Sequence, residues 1–162
     1  MTIFLCAKCS TELTGDLVAL PAVPEVDVDP EREDGRAPST VPRGHYAVEP
    51  EPWGAPYVTQ HDDEDFQPCQ PRGSCVLVTD GFLISAGTRN NVIIHPDDAP
   101  LLQDSPDYKT LTGCHGPDGR HRRNQVCPCG AAVATLTADC TGPHELHLDP
   151  IRTYPLDEVQ PR

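Results

Sequence analysis

Apolar residues in this chain gather in short runs separated by turn-forming residues, a pattern of strands rather than helices. Thr2-Ile3-Phe4-Leu5 reads as a first strand leading into Cys6 and Cys9. Gly15-Asp16 turns, and Leu17-Val18-Ala19-Leu20 returns beside it. The clearest signal lies further on. Cys75-Val76-Leu77-Val78-Thr79 and Phe82-Leu83-Ile84-Ser85 flank Asp80-Gly81. An Asp-Gly pair between two β-rich runs predicts a hairpin, because a type I′ turn needs positive φ at both central positions. Ala86 to Asn91 forms a further turn and Val92-Ile93-Ile94-His95 a third strand, which makes a meander. Pro96 to Leu102 supports at most a helical turn, opened by one proline and cut short by Pro100. Ala131 to Leu136 reads as a strand. So does His144-Glu145-Leu146-His147-Leu148, which would put His144, Leu146 and Leu148 on one face, opposite Glu145 and His147.

Residues 21–71 interrupt this pattern with ten prolines. From Glu25 to Asp65 twelve acids face only Arg32, Arg36 and Arg43, so most of the net charge of −13 lies in a quarter of the chain. Proline fixes φ and removes a donor, so neither a helix nor a central strand is expected there. The expectation is an extended, irregular segment. It carries the single Trp, Trp53, together with Tyr57. These either fold back onto their own domain or dock on a partner. His61-Asp62-Asp63-Glu64-Asp65 lacks the glycine and spacing of a calcium loop and reads as a solvated loop. The organisation expected is a knuckle hairpin over 1–20, the Pro-rich segment over 21–71, a meander and Cys-rich region over 72–150 forming one domain with 1–20, and a frayed tail over 151–162.

Composition adds a reason for metal. Leu, Ile, Val and Phe make up 34 of 162 residues, which is a meagre core. Chains below about 20 % in these residues with high charge tend to be disordered. Eight cysteines are available to compensate. Cys127-Pro128-Cys129-Gly130 resembles a zinc knuckle, and Cys6-Ala7-Lys8-Cys9 has the usual two-residue knuckle spacing. The others are Cys69, Cys75, Cys114 and Cys140. No secretory leader and no run of about 20 apolar residues is present, so a cytoplasmic setting with reduced thiols is expected. All eight cysteines are then candidate ligands for one or two zinc ions. One division joins Cys6 and Cys9 to Cys127 and Cys129, leaving Cys69, Cys75, Cys114 and Cys140 for a second site. Another groups Cys6, Cys9, Cys69 and Cys75, and separately Cys114, Cys127, Cys129 and Cys140. Facing knuckles favour the first. Shorter loops favour the second, to which the sequence reading leans. His115, His144 or His147 can replace a cysteine in either.

The fold class expected is mostly β: a small zinc-stabilised β-meander or zinc-ribbon-like domain with a long Pro-rich irregular insertion. The order of an N-terminal Cys pair, a β-meander and a C-terminal Cys pair is similar to the layout of β-tent zinc domains. That group includes methionine sulfoxide reductase B-type enzymes and cereblon-type ligand-binding domains. Neither activity carries over. Val92-Ile93-Ile94-His95 holds no nucleophilic cysteine, and Trp53 cannot form a cage of three tryptophans.

No His-Glu-x-x-His and no His-x-Glu ahead of a Cys-x-x-Cys is present, so a non-enzymatic protein acting through protein contact is the leading expectation. A thiol redox or metal-transfer protein is the alternative, and a zinc-ribbon nucleic-acid accessory protein the next. Ten Arg against two Lys, with nineteen Pro, suits a GC-rich bacterial genome. The acidity disfavours nucleic acid and anionic membranes and permits a basic protein partner. Arg120-His121-Arg122-Arg123 is the one basic patch. It either balances a thiolate-bound metal or contacts an acidic group.

Overall fold

The computed structural model describes residues 1–26, 38–60, 77–78, 81–121, 123–140 and 142–157. Among these the chain is mostly β, with three sheets. A two-stranded sheet pairs β1 (Thr2–Cys6) with β12 (Thr153–Asp157). A seven-stranded sheet runs in the order β2 (Val18–Ala19), β3 (His45–Glu49), β7 (Asn91–Ile94), β11 (Glu145–Leu148), β10 (Ala132–Thr137), β9 (Gln125–Val126), β8 (Gln103–Asp104). A three-stranded sheet sets β6 (Gly81–Ser85) between β4 (Tyr57–Gln60) and β5 (Leu77–Val78). Among the described strands β2 and β3 pair in parallel, and an isolated bridge joins Ser39 to His144 in the same sense. Two short 3-10 helices, Pro96–Asp98 and Tyr108–Leu111, are the helical content among the described residues. No helix there is long and apolar enough to cross a membrane.

The meander predicted over 75–95 is divided between sheets. β5 and β6 pair as a hairpin, but β7 leaves them to pair with β3 and β11. The register also differs from an Asp-Gly turn. Val78 pairs with Gly81, which places Gly81 on the strand. Its φ is +133°, and a Cβ there would sit 2.3 Å from the Gln60 carbonyl oxygen, so close strand approach is what this glycine serves.

Two further expectations give way. The Pro-rich segment was read as unable to hold a central strand, yet β3 lies between β2 and β7. Pro42 and Pro50 bracket residues 43–49, and that proline-free interval is long enough for five residues of ladder. The tail expected to fray instead supplies β12, in register with all of β1 from Thr2↔Asp157 to Cys6↔Thr153. β12 tolerates Pro155 because, paired on one side only, it has no second ladder to donate to. The returning segment does meet β1, through the bridges Thr2↔Leu17 and Leu5↔Glu12, while Val18 and Ala19 go on to pair with β3.

The seven-stranded sheet is covered on both faces, and the two faces differ. Cross-strand rows follow from the registers. Tyr46, Ile94, Leu146 and Leu136 form one row, and Val92, Leu148 and Ala134 the next. These side chains join Phe4, Leu13, Leu17 and Val133 in the main core, which also encloses Cys6 and Cys127. Truncating a residue such as the fully buried Leu148 to Ala would cost about 2–5 kcal/mol. The opposite face carries the row Ala47, Ile93, His147, Thr135, flanked by Glu145 and Thr137. Ala47 and Ile93 pack with Val41 in a small second cluster. The remainder of that face is polar and buried.

Candidate metal centres and the buried polar face

The first centre joins the two ends of the fold. Cys6 closes β1, and the chain then turns tightly, with the Ser10 amide donating to the Cys6 carbonyl at 2.8 Å and Ser10 at a φ of +59°. That turn points Cys9 back beside Cys6. Cys127 and Cys129 follow β9 on a matching turn, in which the Gly130 amide donates to the Cys127 carbonyl at 2.7 Å. Gly130 has φ +83°, the left-handed value that the knuckle motif required of a glycine. The sulfurs meet in crossed pairs: Cys6 Sγ lies 3.8 Å from Cys129 Sγ, and Cys9 Sγ lies 3.6 Å from Cys127 Sγ. All four are within 4.8 Å of one another and can hold a metal ion. The grouping favoured on loop length, with Cys6 and Cys9 beside Cys69 and Cys75, is not the one formed. The first four-cysteine group of the facing-knuckle division is. Cys69 and Cys75 lie outside the described residues.

The four thiols are electrostatically unequal. The Thr11 hydroxyl, 3.1 Å from Cys9 Sγ, and then the Thr11 backbone N–H bring the Cys9 thiol down from 9.0 to about 6. Burial pushes the Cys127 thiol up to about 12. The exposed Cys9 sulfur therefore gives up its proton more readily than the buried Cys127 sulfur.

The second centre gathers Cys114, His115, Asp139 and Cys140, again within 4.8 Å. It sits at the surface: Cys114 and His115 are exposed, Cys140 is half-buried and Asp139 is buried. Asp139 organises it. Its Oδ1 accepts the backbone amides of Cys140, His115 and Cys114 at 2.8, 2.9 and 3.1 Å. Burial opposes the Asp139 charge, but those amides win and hold the carboxyl below its usual 3.8. Burial and then the Asp139 charge raise the Cys140 thiol. Sequence reasoning had Cys114 and Cys140 as ligands and His115 as a substitute, but missed Asp139. Its place next to Cys140 was the available signal.

No protein family, curated protein or solved structure matches the chain.

The buried polar face is the third feature, and alternation predicted only its sidedness. Glu145 and His147 do point away from Leu146 and Leu148, but they are not solvated: both side chains are 1 % exposed. His147 Nε2 lies 2.6 Å from Glu145 Oε2, and the Thr40 hydroxyl donates to Glu145 Oε1 at 2.5 Å. Trp53, 5 % exposed, lies flat on His147, with ring centroids 3.8 Å apart and planes at 23°. Of its two readings, Trp53 follows the first and covers its own domain. It is anchored by pairing with Thr88. A cavity of about 530 Å³ remains between this arm and the sheet, and Arg123, Asp149 and His121 complete its wall.

Proposed function

We propose that Cys6, Cys9, Cys127 and Cys129 hold one structural zinc ion between two facing knuckles, in a zinc-ribbon-like arrangement, and that the domain works as a binding protein with a protein partner. The observation that carries the metal reading is the convergence of four thiols from the two ends of the chain. Zinc held by four thiolates at about 2.3 Å defines a tetrahedron with edges of about 3.8 Å. The sulfur separations of 3.8 and 3.6 Å have that size. Four protein ligands leave no open position, which is the character of a structural site. The six described cysteines are all free thiols, as a reducing compartment such as the cytoplasm would keep them. The charge of −13 suits a basic protein surface as partner.

The test is zinc content with Cys6→Ser and Cys127→Ser. Each variant should lose the tightly held zinc and its cooperative unfolding transition. A Cys127→Ser protein that stays folded with full zinc content would sink the proposal. A second reading, metal transfer, draws on the surface position of Cys114, His115 and Cys140. It expects a second zinc that a mild chelator removes while the first stays, with Cys114 and Cys140 then open to a thiol probe.

A further inference from the structure

We propose that the cavity beneath Trp53 is a binding site for a small organic carboxylate. This goes beyond the metal-held scaffold and requires only that the sheet be folded. Two residues of this one wall each carry a buried polar atom with no partner among the described residues, the Nδ1 of His147 and the Nε of Arg123. Buried polar atoms are rarely left unpaired, so two on one cavity mark where a ligand supplies what the protein does not. Both groups are fixed from behind. Glu145 engages His147 Nε2 at 2.6 Å, which leaves the Nδ1 edge of the ring for other partners. Asp149 Oδ2 accepts from Arg123 Nη1 at 2.8 Å, which leaves the Nε–H donor.

Charge favours an anion. The protein carries −13, yet His121 and Arg123 from the basic run 120–123 both reach this cavity. Its acids are already engaged: Asp149 by Arg123 and the Ile151 amide, Glu145 by His147 and Thr40. A planar carboxylate offers two oxygens, one for the guanidinium and one for the His147 ring that Glu145 holds at its Nε2. A phosphate would bring more negative charge toward Asp149 and Glu145. Trp53 and Pro56 line the cavity with carbon, which suits an organic body attached to that carboxylate. The volume of about 530 Å³ is that of a small-ligand site.

Trp53 is the only tryptophan, so its emission reports on the cavity directly. The metal-loaded full chain is titrated with acetate, succinate and benzoate, with benzamide as the uncharged counterpart of benzoate and inorganic phosphate as the anion control. Benzoate or succinate should give a saturable change, benzamide and phosphate none. Arg123→Gln should weaken that binding about tenfold or more. His121→Asp, at an exposed position, should weaken it also and keeps the test open should Arg123→Gln fold poorly. The proposal is overturned if no carboxylate gives a saturable response up to about 10 mM, if benzamide binds as well as benzoate, if phosphate binds as tightly, or if both variants bind like the wild type. Zinc content measured on the same samples separates this outcome from that of the metal proposal: carboxylate binding by a zinc-free fold would remove the first and leave the second.

Discussion

Asn124 is the residue on which both chemistries hang, and Asn124→Ala is the perturbation that shows it. Arg123 of the cavity precedes it, and β9, which delivers Cys127, follows it. Its side chain is 0 % exposed. Nδ2 donates to the Thr110 carbonyl at 3.2 Å and the Leu136 carbonyl at 2.9 Å, while Oδ1 accepts the Leu136 amide at 2.7 Å. The amide group thus takes the place of a strand peptide beside β10, where the register shifts between Ala132 and Ala134. Alanine removes all three bonds and strands an N–H and two carbonyls in the interior. At about 1–3 kcal/mol for each of the three orphaned groups the loss is about 3–9 kcal/mol, and relaxation that lets water reach some of them should bring it to about 3–5 kcal/mol. That is a large part of the 5–15 kcal/mol typical of a domain. Asn124→Asp should lose at least as much, because it keeps the acceptor for Leu136 but turns a carboxylate toward two carbonyl oxygens. Urea unfolding of zinc-loaded protein at fixed free zinc measures both. A loss below about 1 kcal/mol for Asn124→Ala would refute the reasoning, since water would then be serving the three groups as well as the side chain does.

Gly119 lines the same cavity at φ +73°, and a Cβ there would lie 2.6 Å from Thr137 Cγ2 and 2.8 Å from Trp53 Cη2. Gly119→Ala should therefore lose about 2 kcal/mol and shift Trp53 emission as the ring is displaced, both read in one thermal melt followed by fluorescence. When zinc is withdrawn at pH 7 and iodoacetamide is pulsed before the fold is lost, Cys9 should be modified well before Cys127, given thiols at about 6 and about 12; peptide mapping that finds the reverse order would contradict the Thr11 account. The sign of the linked stability differs between the two. The contribution of the Cys9 thiolate is full above pH 9.0 and fades as pH falls toward 6, whereas that of the protonated Cys127 is full below pH 9.0 and fades as pH climbs toward 12. Asp139→Asn should release metal from the Cys114 centre and leave the Cys6 centre loaded, as zinc stoichiometry before and after a mild chelator would tell.

Local chemistry was legible in the sequence, and long-range pairing was not. The two knuckles, β10, β11 and the turn at Pro96 follow from spacing and punctuation within a few residues. The partner of β1 does not, because it lies at Thr153–Asp157, and a proline inside that strand argued against it. The cysteine grouping failed for a related reason. Loop-closure entropy was charged to the metal, although doubling a loop adds only about 0.6 kcal/mol. Here the β1–β12 pairing and the packing of Phe4 with Val133 and Leu148 in one core bring residues 6 and 127 together. A metal would then have only a short remaining distance to close. Trp53 was visible as an aromatic with somewhere to go, but nothing local named His147 as its destination.

The polar face raises a question of energetics that the cavity answers. A chain with so few large apolar residues can pack one face of its sheet well, and it spends Val92, Ile94, Leu146 and Leu148 there. Covering the other face with Trp53 buries Glu145 and His147 as well. Exchanging a buried acid–base pair for apolar residues of similar volume is often neutral or stabilising, so such a pair is weak evidence of a device for stability. Removing one partner alone would be costly, because the other would remain buried without its counterpart. The pair is also incomplete as a stability device, since it leaves Nδ1 unpartnered beside Arg123 Nε and a cavity. A structural pair would be expected to close its own hydrogen bonds. One that is braced from behind by Thr40, capped by a stacked indole and unpartnered among the described residues at a single ring nitrogen is arranged as a receptor is arranged, with the protein supplying all but one of the partners.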